Sequence, residues 1–385
     1  MDRVGWHPRA LVVWVFLAAS FLASGGADGR VDVSRATTVV RSPAPYRVPA
    51  GAIRVRNSHQ LVRALARPRA TSIVLAAGVY DHNEPFYVRH GNRLYAARVG
   101  QAVLRAGIVL GANHGRDFPL LRGLRFDVRD PGRTLNGDVV HVWGSASRAH
   151  VLDTTIAGHG RIDSGLAVRQ PEGFVARRVV VRGFRSYGVM VDPNKPAYVA
   201  RRPYLLEDVA VTRVARLPVR GSSNGTAEAC FWLGSRGTVR RASAVNCGLA
   251  GVWTGTANTG SRLRDVEIDR TPVGIYLEHF TREATFERLH VGPAVRRGVN
   301  AEWADPAWGG KPASVDNVFR DSRFTTSLVG VYLDAGTTRN SVVGCTFVGQ
   351  SWAGIGNFLG VDNHFEGNRF NRLLPGAVPI SLGHL

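Results

Sequence analysis

The chain has 385 residues, 44% of them apolar, with 44 glycines and a formal net charge of +20. That apolar content allows a sizeable core, and glycine at this frequency points to many tight turns rather than long helices. Lys195 and Lys311 are the only lysines, so the charge is almost wholly guanidinium. It reflects either an arginine-favouring codon bias or a polyanionic partner; no helix-turn-helix, RRM or zinc-finger pattern is present, which ranks acidic polysaccharide above nucleic acid.

Residues 1–27 read as an export signal. Arg3 and Arg9 precede an apolar run from Ala10 to Ala23, and the small residues Ser24, Gly25, Gly26 and Ala27 follow. No later segment approaches membrane-spanning length, so no span is expected after signal removal, and a secreted or cell-envelope location follows. Residues 28–50, with Pro43, Pro45 and Pro49, read as a linker. Ser58 to Ala66 forms the best helix in the sequence, with Ser58 as its cap and apolar residues at 61, 62 and 65, and it is expected to plug the open first turn of a repeat. Ile73 to Tyr80 is a strand and turn. A single β-rich domain is expected over 51–385.

The repeat is clearest near the C-terminus. Asn317 to Phe324, Asn340 to Phe347 and Asn363 to Phe370 align at two intervals of 23 residues. In step with them runs glycine followed by apolar-x-apolar, at Gly165, Gly188, Gly251, Gly274, Gly298, Gly330 and Gly354, with Cys230 standing in the glycine's place once. Such a unit cannot bury its own apolar face, whereas stacked units share one core and bond strand to strand. The recurrent asparagine predicts a side-chain amide ladder. Cys230, Cys247 and Cys345 match no zinc spacing, and the repeat places Cys247 and Cys345 in equivalent positions about four coils apart, so three buried free thiols are expected.

The helix, the strand at 73–80 and the coils to Phe370 together resemble the pectin-lyase-like superfamily. The resemblance implies a right-handed parallel β-helix. That superfamily includes lyases, glycosidases, epimerases, phage tailspikes and non-catalytic surface proteins, so it fixes architecture more than activity. Gly158-His159-Gly160 is similar to a polygalacturonase element, and Arg216 to Arg220 to a shortened pectate-lyase one, but the remaining residues of either signature are missing.

In the glycine register the second and fourth residues point outward. The second gives Met190, Trp232, Trp253, Tyr276, Asn300, Tyr332 and Gly356; the fourth gives Asp192, Gly234, Gly255, Glu278, Glu302, Asp334 and Phe358. An aromatic stripe thus runs beside a carboxylate stripe, as sugar stacking and glycosidic chemistry require. Glu278, Glu302 and Asp334 would stand at ~5 Å intervals, where repulsion demands a proton, an arginine or a cation such as Ca²⁺. These three are the catalytic candidates. Asp192, Trp232, Trp253, Tyr276, His279, Asn300 and Tyr332 are the substrate-binding ones, Arg296 and Arg297 lie near, and His141 is outward on the same face. Long insertions at 193–203 and 303–314 would wall the groove. The expectation is a monomeric, secreted protein cleaving a polysaccharide by hydrolysis or β-elimination; the alternative is a non-catalytic glycan-binding or structural envelope protein.

Overall fold

The computed structural model describes residues 45–89, 91–111, 118–143, 148–192, 202–214, 228–255, 258–302 and 314–383. The export signal, most of the linker, Arg216, Arg220 and nearly all of both insertions lie outside the described residues. Among the described residues the strands pair from coil to coil in parallel, for example Phe231 beside Val252, Ile275, Val299, Val331 and Ile355 in turn. The chain is a right-handed parallel β-helix. Among the described residues one sheet has 12 strands, from Phe86–Val88 to Val378–Ser381, a larger one has 20, and Thr281–Arg282 with Ser314–Val315 forms a small third.

The larger sheet is creased, which gives each coil three faces. Strands such as Tyr204–Val214 and Gly237–Cys247 run through the crease. Later coils break there into pairs, such as Thr285–Glu287 and His290–Val291. At the crease stands one left-handed residue per coil: Asp153, Arg178, Asp208, Arg241, Asp265, Arg288 and Asp321, with φ between 50° and 56°. Their charges alternate, and the register stacks them in that order. Left-handed backbone disfavours a side-chain-bearing residue by roughly 1–2 kcal/mol. Ion pairs between rungs offset this: Arg178 binds Asp153, Arg241 binds Asp208 at 2.7 Å and Arg288 binds Asp265 at 2.7 Å. We call the strands before the crease the first face, those after it the second, and the 12-stranded sheet the third.

The repeated glycine sits where the third face passes close to the second. A Cβ on Gly330 would lie 2.2 Å from the Phe347 ring, and one on Gly188 2.0 Å from Val211. In the Cys230 coil the opposing residue is Ala244, which holds the rung between Val211 and Ile268. That smaller residue leaves room for a side chain. The expectation of three free thiols is corrected here: Cys230 is disulfide-bonded to Cys247, with Cα atoms 5.5 Å apart. Cys247 pairs with Val214 at the end of the second face, whereas Cys345 stacks one residue before the Arg323–Thr346 rung, so the two are not equivalent. Cys345 is a buried free thiol, pushed up to about 11 by burial.

The amide ladder is present. Asn317 Nδ2 donates to Asn340 Oδ1 at 2.9 Å, and Asn340 Nδ2 to Asn363 Oδ1 at 3.1 Å. Beside it the phenylalanines stack, Phe324 on Phe347 at 5.3 Å and Phe347 on Phe370 at 5.2 Å. Helix α1 (Ser58–Leu65) contacts the first strands of the first and third faces through Leu61, Ala64 and Leu65, while Val62 is exposed. Its cap is Asn57 rather than Ser58: the Asn57 side chain accepts from the Gln60 N–H, and Gln60 returns a bond to the Arg56 N–H.

Candidate functional site

The third face carries the two outward rows at the register given by the glycines. His141, Ala167, Met190, Trp232, Trp253, Tyr276, Asn300, Tyr332 and Gly356 pair in sequence, strand to strand. The Gly188 to Cys230 interval is a single coil, because Tyr187–Asp192 pairs directly with Ala229–Leu233. Backbone bonds continue the order one residue further, Glu278 N–H to Thr254, Glu302 N–H to Leu277 and Asp334 N–H to Ala301. Of Asp192 only the backbone is described.

The aromatic row does not form one flat platform. Trp232, Trp253 and Tyr276 are half-buried, but Tyr332 is 3% exposed. Trp352, from the turn before the next strand, packs on Tyr332 at 6.0 Å, and Gly356 leaves the space that this ring fills. Asn300 and Met190 are buried too. Trp253 and Tyr276 are inclined at 55°, whereas Tyr187 and Trp232 are stacked. His141 is fully buried, bonded to Asp138 at 2.7 Å and stacked on Trp143, so it offers no surface to a ligand. His159 bonds to Asp127 where the chain leaves the second face.

The two rows are instead chemically coupled. Trp253 Nε1 donates to Glu278 at 3.0 Å. The Tyr276 hydroxyl donates to Glu302 in the next coil, and the Tyr332 hydroxyl to Asp334 in its own. Asp334 also accepts from the Ala335 N–H at 2.7 Å. Each acid is drawn to its own donor, and among the described residues no three His, Cys, Asp or Glu side chains converge as a metal would need. Ring donors and a histidine oppose the repulsion in the column, without a metal among the described residues' own contacts.

Glu302 is strongly affected by its surroundings. Burial raises its pKa, the adjacent Glu278 and Asp334 raise it further, and only the Tyr276 hydrogen bond and His279 oppose them. His279 Nε2 stands 3.6 Å from the carboxylate. Burial and Glu302 push the Tyr276 phenol far up, and burial with Asp334 pushes Tyr332 up to about 12. Arg297 lies in the row just before the glycines. It donates to Asn300 Oδ1 at 2.7 Å and covers the Tyr332 ring at 5.6 Å, and burial with neighbouring Arg296 lowers its pKa. Sequence reasoning gave Arg297 only as a neighbour and did not single out Tyr187 or Trp352. The pairings Tyr187–Ala229 and Arg297–Val329 show the outward row before each glycine, which a search confined to residues after the glycine misses.

No family model and no curated protein matches this sequence. Solved structures share the fold. A mannuronic acid specific polysaccharide family 6 lyase from human gut microbiota superposes with a TM-score of 0.55 at 11% identity, covering 84% of each chain. The catalytic unit of a GH87 α-1,3-glucanase from Streptomyces thermodiastaticus gives 0.52 at 14% identity, over 86% of this chain and 70% of that one. The surface adhesin PfbA of Streptococcus pneumoniae gives 0.51 at 10% identity, over 84% and 87%.

Proposed function

We propose that the protein is an exported enzyme that cleaves an acidic polysaccharide across the third face, with Glu302 as the general acid. The observation that carries this is the setting of Glu302: a half-buried carboxyl between two other acids, with a raised pKa and within reach of Tyr276 and His279. A carboxyl that keeps its proton above the ordinary range can hand it to a leaving oxygen near neutral pH. Hydrolysis and β-elimination both protonate the leaving oxygen, so the role is common to both. In hydrolysis Asp334 or Glu278, as carboxylate, activates water. In elimination a base takes the proton beside the uronate carboxylate, whose charge Arg297 would neutralise. Among the described residues Arg297 has no ion pair with an acid, which favours an acidic substrate.

A polysaccharide lyase and an α-1,3-glucanase share this fold, which supports the substrate class. The Cys230–Cys247 disulfide supports export to an oxidising compartment. Glu302→Gln should lower the release of new reducing ends by about 100- to 10,000-fold, the range of one general acid, with an unchanged circular dichroism spectrum. Unchanged turnover in that variant on a polysaccharide the wild type cleaves would remove Glu302 from the chemistry. Ultraviolet absorbance from unsaturated uronate in the products marks elimination, and its absence marks hydrolysis. Retention of the polymer by the wild type with no new ends would favour the adhesin-like reading that the shared fold with PfbA also supports.

A further inference from the structure

Along the first face, in the row just before the crease, charge alternates from coil to coil. Arg177 and Arg240 both bind Glu207, Arg240 at 2.6 Å, and further on Arg320 binds Glu287 at 3.0 Å. The order Arg177, Glu207, Arg240, Arg264, Glu287, Arg320 therefore breaks at one step, where Arg240 pairs in register with Arg264. Two like charges then occupy neighbouring strands ~4.8 Å apart, an arrangement that repels unless an anion lies between them.

The acids nearest Arg264 do not fill that role. Asp265 and Glu287 each come only to 3.7 Å from its Nε. Arg262, on the same strand and exposed, has no ion pair among the described residues. Thr238 and Thr285 stand on either side of Arg262 in its row. Together these side chains line an open depression of about 670 Å³. No aromatic ring lines it, so neither base stacking nor sugar stacking operates there, and recognition falls to guanidinium forks.

We propose that this depression is a second, non-catalytic site that binds an acidic polysaccharide, whose carboxylate or sulfate groups supply the acid missing between Arg240 and Arg264. Guanidinium groups bind such anions bidentately, and arginines on successive strands present a line of them to an extended chain. The site lies on a different face from Glu302 and does not depend on the reading of the third face. It would hold the enzyme on a polymer while the other face works.

The test uses the full chain in its Glu302→Gln form, so that probes stay intact. Titration calorimetry is run with polygalacturonate fragments, chondroitin sulfate fragments, inorganic sulfate and duplex DNA. Arg262→Gln with Arg264→Gln should weaken binding of at least one polysaccharide by tenfold or more. Arg323→Gln, an exposed arginine of the second face, should change it less than twofold. Should the double variant lose its cooperative melt, Arg262→Gln alone is expected to give at least threefold. Equal losses in the Arg323→Gln control, or none in the pair, overturn the site. Sulfate binding as tight as the polymers reduces it to an ion site, and tighter binding of DNA overturns the partner class. In an otherwise wild-type enzyme the pair should leave kcat unchanged; a fall in kcat would assign these arginines to the third-face reaction. If Glu302→Gln leaves turnover intact while the arginine pair weakens binding, the third-face reading fails and this site stands.

Discussion

Glu302 and Glu207 should respond to pH with opposite signs. Burial raises the folded-state pKa of Glu302, so the native protein holds a proton there that the unfolded chain has released. Stability from this group is full below the ordinary carboxylate range and falls as pH rises toward the raised value. Glu207 is held low by Arg241, Arg177 and Arg240 against its burial, so its contribution is full above the ordinary range and is lost as pH falls through the lowered value. Urea midpoints from acidic to neutral pH should therefore decline less steeply on the alkaline side in Glu302→Gln than in the wild type; parallel curves would show that Glu302 is not the group responsible. Trp253→Phe keeps an aromatic ring, though a smaller one, and removes the donor to Glu278, a bond to a charged group of roughly 1.5–3 kcal/mol; a midpoint unchanged by calorimetry would show that the bond has no energetic weight. The sequence made the direction of these side chains readable, because alternation after each glycine fixes which residues face out. It could not show that Trp352 covers Tyr332, or that the rings donate to the acids, because a register specifies a side and not what folds over it.

At the scale of the coil, the glycine and the residue opposite it form one steric unit. Gly330→Ala forces a methyl against the Phe347 ring and the Gly354 carbonyl, which should destabilise by roughly 1–3 kcal/mol; a midpoint within error of the wild type would mean that the second and third faces are not in this contact. Where the glycine is replaced, by Cys230, the opposing residue shrinks to Ala244 and the space holds a disulfide. That link closes a loop of 17 residues, and Cys230→Ser with Cys247→Ser should cost about 3 kcal/mol, read as a loss in denaturant midpoint that reductant reproduces in the wild type. An equal midpoint with and without reductant would contradict the pairing. Periodicity compares a residue with its neighbours one coil away, so it could place the asparagine ladder but not a bond that crosses the core within one coil. The alternating charges of the crease were also visible in principle, as Asp265, Arg288 and Asp321 in the repeat register, yet charge at a turn reads as ordinary solvation until its left-handed backbone is known.

Over the whole molecule, stacking turns a weak repeat into long rows, and the rows are what carry chemistry. One face gathers acids with ring donors, another a line of arginines with a gap in its alternation, and both arise because residues 23 to 33 positions apart become strand neighbours. The parallel β-helix was legible because glycine, asparagine and phenylalanine recur together at a fixed interval, and each has a separate physical reason to do so. Which face works was less legible, since nearly every coil presents polar residues on all its faces. Crystals of the Glu302→Gln variant grown with an oligosaccharide of the cleaved polymer bear on that most directly. A sugar chain lying across Tyr276, Asn300 and Asp334, with a glycosidic oxygen ~3 Å from the side chain at 302, is the expected result. Sugar bound on the arginine-lined face alone, with none on the third, would contradict it.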